Sequence, residues 1–281
     1  MGHPDNPLLP MPATIQKIIP ETPDVNTFRV TLDDPEAQAA WHHEPGQLAM
    51  LSAFGVGEAM FSISSAPTRK GYLEFSVKRM GHVTSALHQL APGASIGLRG
   101  PYGNHFPYGK MRGKDLLFIG GGFALAPLRS LIDFVLDPAH RGDYGHVDII
   151  YGARSSGDLC FKRDLFENWP QAEGTTVYTT IDVAEEQWSG HVGFVPAYVE
   201  EVAPSGESRV ALVCGPPVMI KFTLQALDKL GFADDQVYST LELRMKCGIG
   251  KCGRCNIGST FVCLEGPVFT MAQIKALPPE F

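Results

Sequence analysis

The chain has 281 residues, of which 44% are hydrophobic, 10% aromatic and 19% charged, which is more than one ordinary domain needs and too apolar for a disordered or low-complexity chain. Its 23 Lys and Arg against 30 Asp and Glu leave a net charge of −7, and no basic tract is present to track a phosphate backbone, so nucleic acid is not an expected partner. The longest apolar stretch, Leu116-Leu117-Phe118-Ile119 running on toward Pro127, is far short of the ~18 residues of a membrane span.

The N-terminus, Met1 to Pro7, carries no basic region followed by an apolar core, and Asn6 stands where a myristoylation signal needs Ser or Thr, so a cytoplasmic location is expected. From Ala13 to about Pro107 short alternating segments such as Thr27–Leu32 and Tyr72–Val77 are separated by turn residues, the pattern of an antiparallel β-barrel. One helix interrupts it, from Val83 to Leu90, ended by Pro92-Gly93. Leu98 to Asn104 reads as a turn-rich exit and Gly109 to Lys114 as a linker. The pattern then changes to that of a parallel α/β domain. Leu116–Ile119 is a continuous apolar strand, followed by glycines and a helix over Pro127–Leu136. Further strands fall at Val147–Tyr151, Thr175–Thr180 and Arg209–Cys214, with a helix over Val218–Lys229, the order of a Rossmann-like sheet. After Val237 the chain is short, rich in glycine and cysteine, and without an apolar run able to form a core. It must fold around a metal or by packing on the rest. The expected division is therefore 1–110, 111–236 and 237–281.

Four of the six cysteines, Cys247, Cys252, Cys255 and Cys263, cluster near the C-terminus, while Cys160 and Cys214 lie far upstream. This is the distribution of a ligand set in a reducing compartment, not of a disulfide framework. Cys247, Cys252 and Cys255 have the CxxxxCxxC spacing of plant-type [2Fe-2S] ferredoxins, although the gap to Cys263 is much shorter than theirs. Gly248, Gly250 and Gly253 let the chain wrap tightly and point N–H groups at sulfur, which stabilises an anionic cluster. The alternative is a four-cysteine zinc knob, which usually uses paired CxxC units.

Gly120-Gly121-Gly122 follows a buried strand and precedes Pro127, and Cys214-Gly215-Pro216-Pro217 ends a later strand of the same sheet and opens another helix. Two such loops at carboxyl strand ends can bracket a dinucleotide crevice, though a glycine turn before a helix is often only a turn. In the first domain, Ala59 to Pro67 sets the hydroxyls and amides of Ser62, Ser64 and Ser65 on one short strand. Gly81, Val83, Thr84 and Ser85 begin the helix, where amides and a hydroxyl can hold a pyrophosphate. The plainer readings are a half-buried strand and an N-terminal helix cap.

Taken in this order, the motifs resemble the ferredoxin-NADP reductase superfamily over roughly Ala13 to Val268. The Met245 to Cys255 run, with Phe261-Val262-Cys263 and Gly266 to Phe269, resembles its iron-sulfur flavoprotein branch of electron-transfer subunits. That branch includes the gamma subunit of cytoplasmic NiFe hydrogenases (sulfhydrogenases), the corresponding subunit of anaerobic sulfite reductase, subunits associated with heterodisulfide reductase, and the electron-transfer subunit of dihydroorotate dehydrogenase. The resemblance implies FAD, NAD(P) and a [2Fe-2S] cluster held by Cys247, Cys252, Cys255 and Cys263. It implies flavin contacts at Phe61, Ser62, Ile63 and Ser64, with Ser62 beside the ring. The arginine of the superfamily's Arg-x-Tyr-Ser motif is replaced by Ala59, which leaves the flavin phosphates to Lys78, Arg79 or the Gly81–Ser85 turn. It implies nucleotide contacts at Gly121, Gly122 and Ala124 and at Cys214, Gly215, Pro216 and Pro217, with Cys214 near the hydride-transfer region. Arg154, after the strand ending at Tyr151, falls where relatives bind the adenosine side, and it does not decide between NAD and NADP.

The implied function is an electron-transfer (diaphorase) subunit that converts two-electron hydride chemistry into one-electron steps. It would work in a hetero-oligomer with a hydrogenase or another redox-complex subunit. The glycine-rich loops and the tail from Val268 to Leu277 are candidates for docking that partner, unless the tail packs on its own domain. Alternative readings are a stand-alone NAD(P)H-dependent flavin, quinone or ferredoxin reductase, and a non-catalytic zinc-stabilised assembly adaptor.

Overall fold

In the computed structural model, which describes residues 6–278, the alternating segments of the first third pair as an antiparallel sheet. Met1 to Asp5, part of the stretch read for targeting, lie outside the described residues, as do 279–281. The strands are β1 (Met11–Thr22), β2 (Val25–Leu32), β3 (Leu48–Ala53), β4 (Gly57–Ser62), β5 (Leu73–Lys78) and β6 (Ser95–Tyr102), with helix α1 (Pro35–Ala40) after β2 and α2 (His82–His88) after β5. Their order is β4-β3-β6-β1-β2-β5, and an antiparallel bridge from Ile63 to Phe75 links the two outer strands at one point. One set of alternating side chains, including Ile15, Phe28, Leu51, Phe75 and Leu98, forms the core, to which α2 adds Leu87.

The stretch Leu98 to Asn104 is not an exit loop. Most of it belongs to β6, a strand paired on both sides, with Leu98 opposite both Met11 of β1 and Leu51 of β3. Gly100 imitates a turn signal in the sequence, yet its role is close approach: a Cβ there would stand 3.0 Å from that of Ala49.

The second sheet is built from β7 (Asp115–Gly121), β8 (Val147–Ala153), β9 (Thr175–Ile181), β10 (His191–Val192), β11 (Arg209–Cys214) and β12 (Val237–Thr240), with α3 (Ala126–Val135), α4 (Val195–Val202) and α5 (Pro217–Lys229) between them. Beyond it come β13 (Asn256–Ile257), β14 (Thr260–Phe261), α6 (Val262–Glu265), β15 (Val268–Thr270) and α7 (Met271–Lys275). The order is β10-β9-β8-β7-β11-β12-β15, parallel throughout except that β15 runs antiparallel to β12. Helix α3 covers one face, packing Leu128, Leu131 and Ile132 on Leu116, Phe118 and Ile149. Helices α4 and α5 cover the other with Val199, Ala226 and Leu227 on Leu117, Ile119 and Ile150. Coverage of both faces is why β7 reads as an unbroken apolar run.

A charged cluster joins the two sheets. Arg129 of α3 donates to Glu74 of β5 at 2.8 Å, to Asp164 at 2.7 Å and to the Ser64 carbonyl at 3.2 Å. Nearby, Ser130 Oγ donates to the Ser65 carbonyl at 2.9 Å and the Phe161 amide to Glu21 at 2.8 Å.

The cysteine-rich segment folds by packing on the rest. Met245, Cys255, Ile257, Val262 and Phe269 cluster with Leu48 of β3 and Met60 of β4, so the segment covers the outer face of the first sheet and every residue of β3 is buried. The tail also packs on its own chain: Val268 and Phe269 are buried in β15, and Met271 of α7 joins the core of the second sheet. Among the described residues, no helix is long and apolar enough to cross a membrane.

Candidate functional site

A cleft opens where the three parts meet. Its walls come from Met60, Phe61 and Ser62 of β4 and Lys78 of β5, from Phe123 and Pro127 after β7, and from Thr240 to Leu243 and Met245 on the approach to the cysteines. The end of β4 divides the expected flavin residues that face it from those that do not. Phe61 and Ser62 do. Ile63 and Ser64 are fully buried, with their amides bonded to the carbonyls of Gln47 and Glu74, and the Ser76 hydroxyl donates to Ser64 Oγ at 3.4 Å. At the start of α2, Thr84 also lines the cleft, and its hydroxyl accepts from the amides of Met80 and Gly81, each at 2.9 Å. Ser85 continues the helix with its amide on the Gly81 carbonyl, and Val83 packs against the sheet core. Lys78 is paired with Asp24 at 3.2 Å and stands 5.6 Å over the Phe123 ring, so a cation and an aromatic face share one wall.

The two glycine loops meet at neighbouring carboxyl strand ends, since Cys214 of β11 pairs with Gly120 of β7. A Cβ on either Gly121 or Gly215 would meet the end of the Met219 side chain of α5, so both loops pack under this one methionine. Gly122 and Ala124 lie in a 3-10 turn, Gly122–Leu125, that leads into α3, and Pro216 and Pro217 open α5. Cys214 is buried, and that burial pushes its thiol up to about 12, so at neutral pH it is an uncharged thiol. Its sulfur stands 3.1 Å from Thr240 Oγ1, and Thr240 itself lines the cleft. Arg154 follows β8 with its side chain 77% exposed and only a loose contact to Asp158 at 3.9 Å.

The cysteine loop aims amides at sulfur. The N–H groups of Ile249 and Lys251 donate to Cys247 Sγ at 3.5 and 3.3 Å, and that of Gly250 to Cys263 Sγ at 3.2 Å. Partial burial pushes the Cys247 thiol up, but the amides of Ile249, Lys251 and Cys252 outweigh it and bring the group down to about 7. Cys263 is driven the other way, to about 12, by burial and by the adjoining Cys255 thiol. Among the described residues no three His, Cys, Asp or Glu side chains converge on a single metal position. The sulfur-directed amides suit an anionic thiolate-bound cluster.

Gly248 holds φ +76°, and a Cβ there would stand 2.9 Å from the buried Tyr102 ring. We expect Gly248→Ala to cost about 1–2 kcal/mol in backbone strain, plus displacement of that ring. The readout is iron per chain on the purified protein: it should fall to less than half of the wild-type value while flavin content is kept.

The sequence does not reveal Arg99. This β6 residue is 1% exposed, and it reaches out of the first sheet to the carbonyls of Lys246 and Cys247 at 2.9 and 2.6 Å. Phe123 is a second residue that sequence reasoning passes over, although its place directly after three glycines at a strand end is a usable signal.

Three families match this geometry in chain order: an oxidoreductase FAD-binding domain over residues 12–108, an oxidoreductase NAD-binding domain over 118–225, and the iron-sulfur cluster binding domain of dihydroorotate dehydrogenase B over 242–275. Sulfhydrogenase 1 subunit gamma of Pyrococcus furiosus is 36% identical over 280 residues, covering 98% of this chain and 95% of that protein. A protein of Methanocaldococcus jannaschii described as a "probable dihydroorotate dehydrogenase B (NAD(+)), electron transfer subunit" is 32% identical over 268 residues, 95% of this chain and 91% of its own. In fold, the chain superposes on an NADH-dependent reduced ferredoxin-NADP oxidoreductase with a TM-score of 0.74 at 20% identity, over 95% of this chain and 90% of that one. It superposes on a Neisseria gonorrhoeae ferredoxin NADP+ reductase with a TM-score of 0.68 at 22% identity, over 82% and 97%. The molecule is thus an oxidoreductase with FAD-binding, NAD-binding and iron-sulfur domains on a ferredoxin-NADP reductase-like fold. It belongs to the family that contains the sulfhydrogenase gamma subunits and the electron transfer subunits of dihydroorotate dehydrogenase B.

Proposed function

We propose that the protein is an electron-transfer (diaphorase) subunit that passes electrons between NAD(P)(H) and a partner redox subunit, such as a NiFe hydrogenase or a heterodisulfide reductase-like complex, through FAD and a [2Fe-2S] cluster. The observation that carries this reading is the shared cleft. Residues of the flavin sheet, of the β7–α3 turn and of the segment that runs from the end of β12 to Cys247 line one space, so a flavin held there would adjoin both the nucleotide loops and the cluster segment. The names of the relatives support a hetero-oligomer, and we read the chain as its cytoplasmic member, divided at 1–110, 111–236 and 237–281, with the first part a closed flavin barrel.

FAD, when bound, takes up a hydride as an electron pair and releases electrons singly, whereas a [2Fe-2S] cluster carries one at a time. The chain's own groups bind, orient and exclude water. In this reading Phe61, Ser62 and Thr84 form the flavin wall, Ile63, Ser64 and Val83 back it from the core, Gly81 and Ser85 flank Thr84 at the helix start, and Ser62 offers its hydroxyl at the reacting edge. Lys78 supplies the cation absent at Ala59. Gly121, Gly122, Ala124, Gly215, Pro216 and Pro217 admit the nucleotide backbone, with Arg154 toward the adenosine end. Cys214, held as a buried neutral thiol, stands behind Thr240 of the cleft wall and does not compete as a nucleophile. Cys247, Cys252, Cys255 and Cys263 hold the cluster. The CxxxxCxxC spacing of Cys247, Cys252 and Cys255, with the amides of Ile249, Gly250 and Lys251 aimed at sulfur, favours a two-iron cluster over a zinc ion, whose sites usually use paired CxxC units.

Metal and flavin content of anaerobically purified protein tests this. The expected result is FAD with iron and sulfide in equal amounts; zinc without flavin would overturn the proposal and leave the adaptor reading.

A further inference from the structure

Arg99 is the largest fully buried side chain among the described residues, and it sits in a flavin-sheet strand while serving the cysteine loop. Its neighbours across the sheet are Met50 of β3 and, beyond it, Met60 of β4, the row that carries the cysteine-rich segment on its outer face. All five N–H donors are used. Nε and Nη2 form a fork on Glu58 of β4 at 3.0 and 2.5 Å. Nη1 donates to Tyr102 Oη at 2.9 Å and to the Cys247 carbonyl at 2.6 Å, and Nη2 to the Lys246 carbonyl at 2.9 Å. Tyr102 in turn packs its ring against Gly248. A guanidinium is the one side chain that can satisfy a carboxylate, a phenol and two carbonyls from one plane while keeping its charge.

From this geometry we propose that Arg99 is a positioning residue that fixes the Cys247 end of the cluster loop and sets the cluster's reduction potential. The inference rests on the proposed presence of an iron-sulfur cluster at these cysteines. Two features give it a sign. The guanidinium is bonded through Nη1 to the peptide carbonyl of a ligand residue, whereas its counter-charge, Glu58, takes the Nε–Nη2 edge and is a third exposed, at 33%. The positive end of the pair therefore faces the loop, and water weakens the negative end, so the pair favours the more reduced, more negative cluster.

The test is a redox titration of the cluster, followed by electron paramagnetic resonance, on the complete protein and three variants, each assayed for iron and sulfide. In Arg99→Met the ratio of reduced to oxidised cluster at a fixed potential should fall about tenfold, equal to 59 mV for one electron. Glu58→Gln, which keeps the charge and both carbonyl contacts of Arg99, should move the ratio in the opposite direction. Arg99→Lys should recover most of the Met shift, which loss of packing alone does not explain. A fully loaded R99M with the wild-type midpoint, or an E58Q shift in the same direction as R99M, would overturn the inference. If R99M fails to hold iron, the sign of the E58Q shift decides. A wild-type protein without iron and sulfide overturns the proposed function, and this inference with it, and is read from the wild-type assay alone.

Discussion

Cys252→Ser is expected to separate the two halves of the chemistry. Iron and sulfide are lost, FAD stays, reduction of the flavin by pyridine nucleotide continues, and delivery to a one-electron acceptor falls by more than ~100-fold, beyond what losing an outer partner of a metal ligand costs. Cys252 is the informative choice because it is exposed, whereas Cys255 and Cys263 are buried within the apolar cluster that seats the segment on β3 and β4. Replacing either of those two disturbs packing as well as ligation. Iron analysis together with nucleotide-to-flavin and nucleotide-to-acceptor rates reads the result; a Cys252→Ser protein with full iron content sinks the ligand assignment.

The largest effect on stability is expected for Arg129→Met. This side chain, 14% exposed, pairs with Glu74, Asp133 and Asp164, whose side chains are themselves 4%, 9% and 13% exposed. Removing the cation leaves buried carboxylates facing one another, a loss of about 3–5 kcal/mol. Glu74 keeps Arg29 as a partner at 2.8 Å, so the cost falls mainly on Asp133 and Asp164. At ~2–4 °C per kcal/mol for a chain of this size, the midpoint of thermal unfolding should drop by roughly 6–20 °C. Burial already pushes the Asp133 carboxyl up, and without Arg129 it rises further. A carboxyl whose folded pKa is raised destabilises the fold above that pKa and ceases to do so as pH falls through it. The deficit should therefore be smaller at pH 5 than at pH 7.5. Thermal melts at both values check the sign, and a drop of under ~2 °C at pH 7.5 contradicts the role given to Arg129.

What the sequence makes legible follows from which signals are local. The strands β7, β8 and β11 and the helices α3 and α5 are readable because coverage of both faces leaves largely apolar runs with glycine or proline at the ends, whereas β9, Thr-rich and mostly half-buried, is readable from its β-branched and aromatic residues. Strand β6 is not, because Gly100, Pro101 and Gly103 look like turn punctuation, and only the neighbouring β3 backbone reveals that glycine is needed for close approach. Helix α4 has Pro196 in its first turn and Pro204 beyond its end, signals that its short length of eight residues makes easy to pass over, and the three-residue edge strand β15 owes its place to pairing with β12. In the site, the cysteine ligand set and the two glycine loops are visible as spacing. The burial of both Ile63 and Ser64 is not legible from period two, which would put these neighbours on opposite faces; it follows from where the chain leaves β4 at Ser62 and bonds back to Gln47 and Glu74. Arg99 is out of reach: its meaning depends on carbonyls 147 and 148 positions away in sequence, which no local pattern encodes.

If hydride and single-electron chemistry meet in one cleft of this chain, one nucleotide must reduce both centres. Anaerobic titration with NADH and, separately, with NADPH, followed by visible absorption, reads this directly. Flavin bands and a broad iron-sulfur shoulder should be bleached together by at least one of the two nucleotides. A colourless protein, or one whose flavin is reduced while the shoulder persists at every nucleotide concentration, would contradict the electron-transfer role.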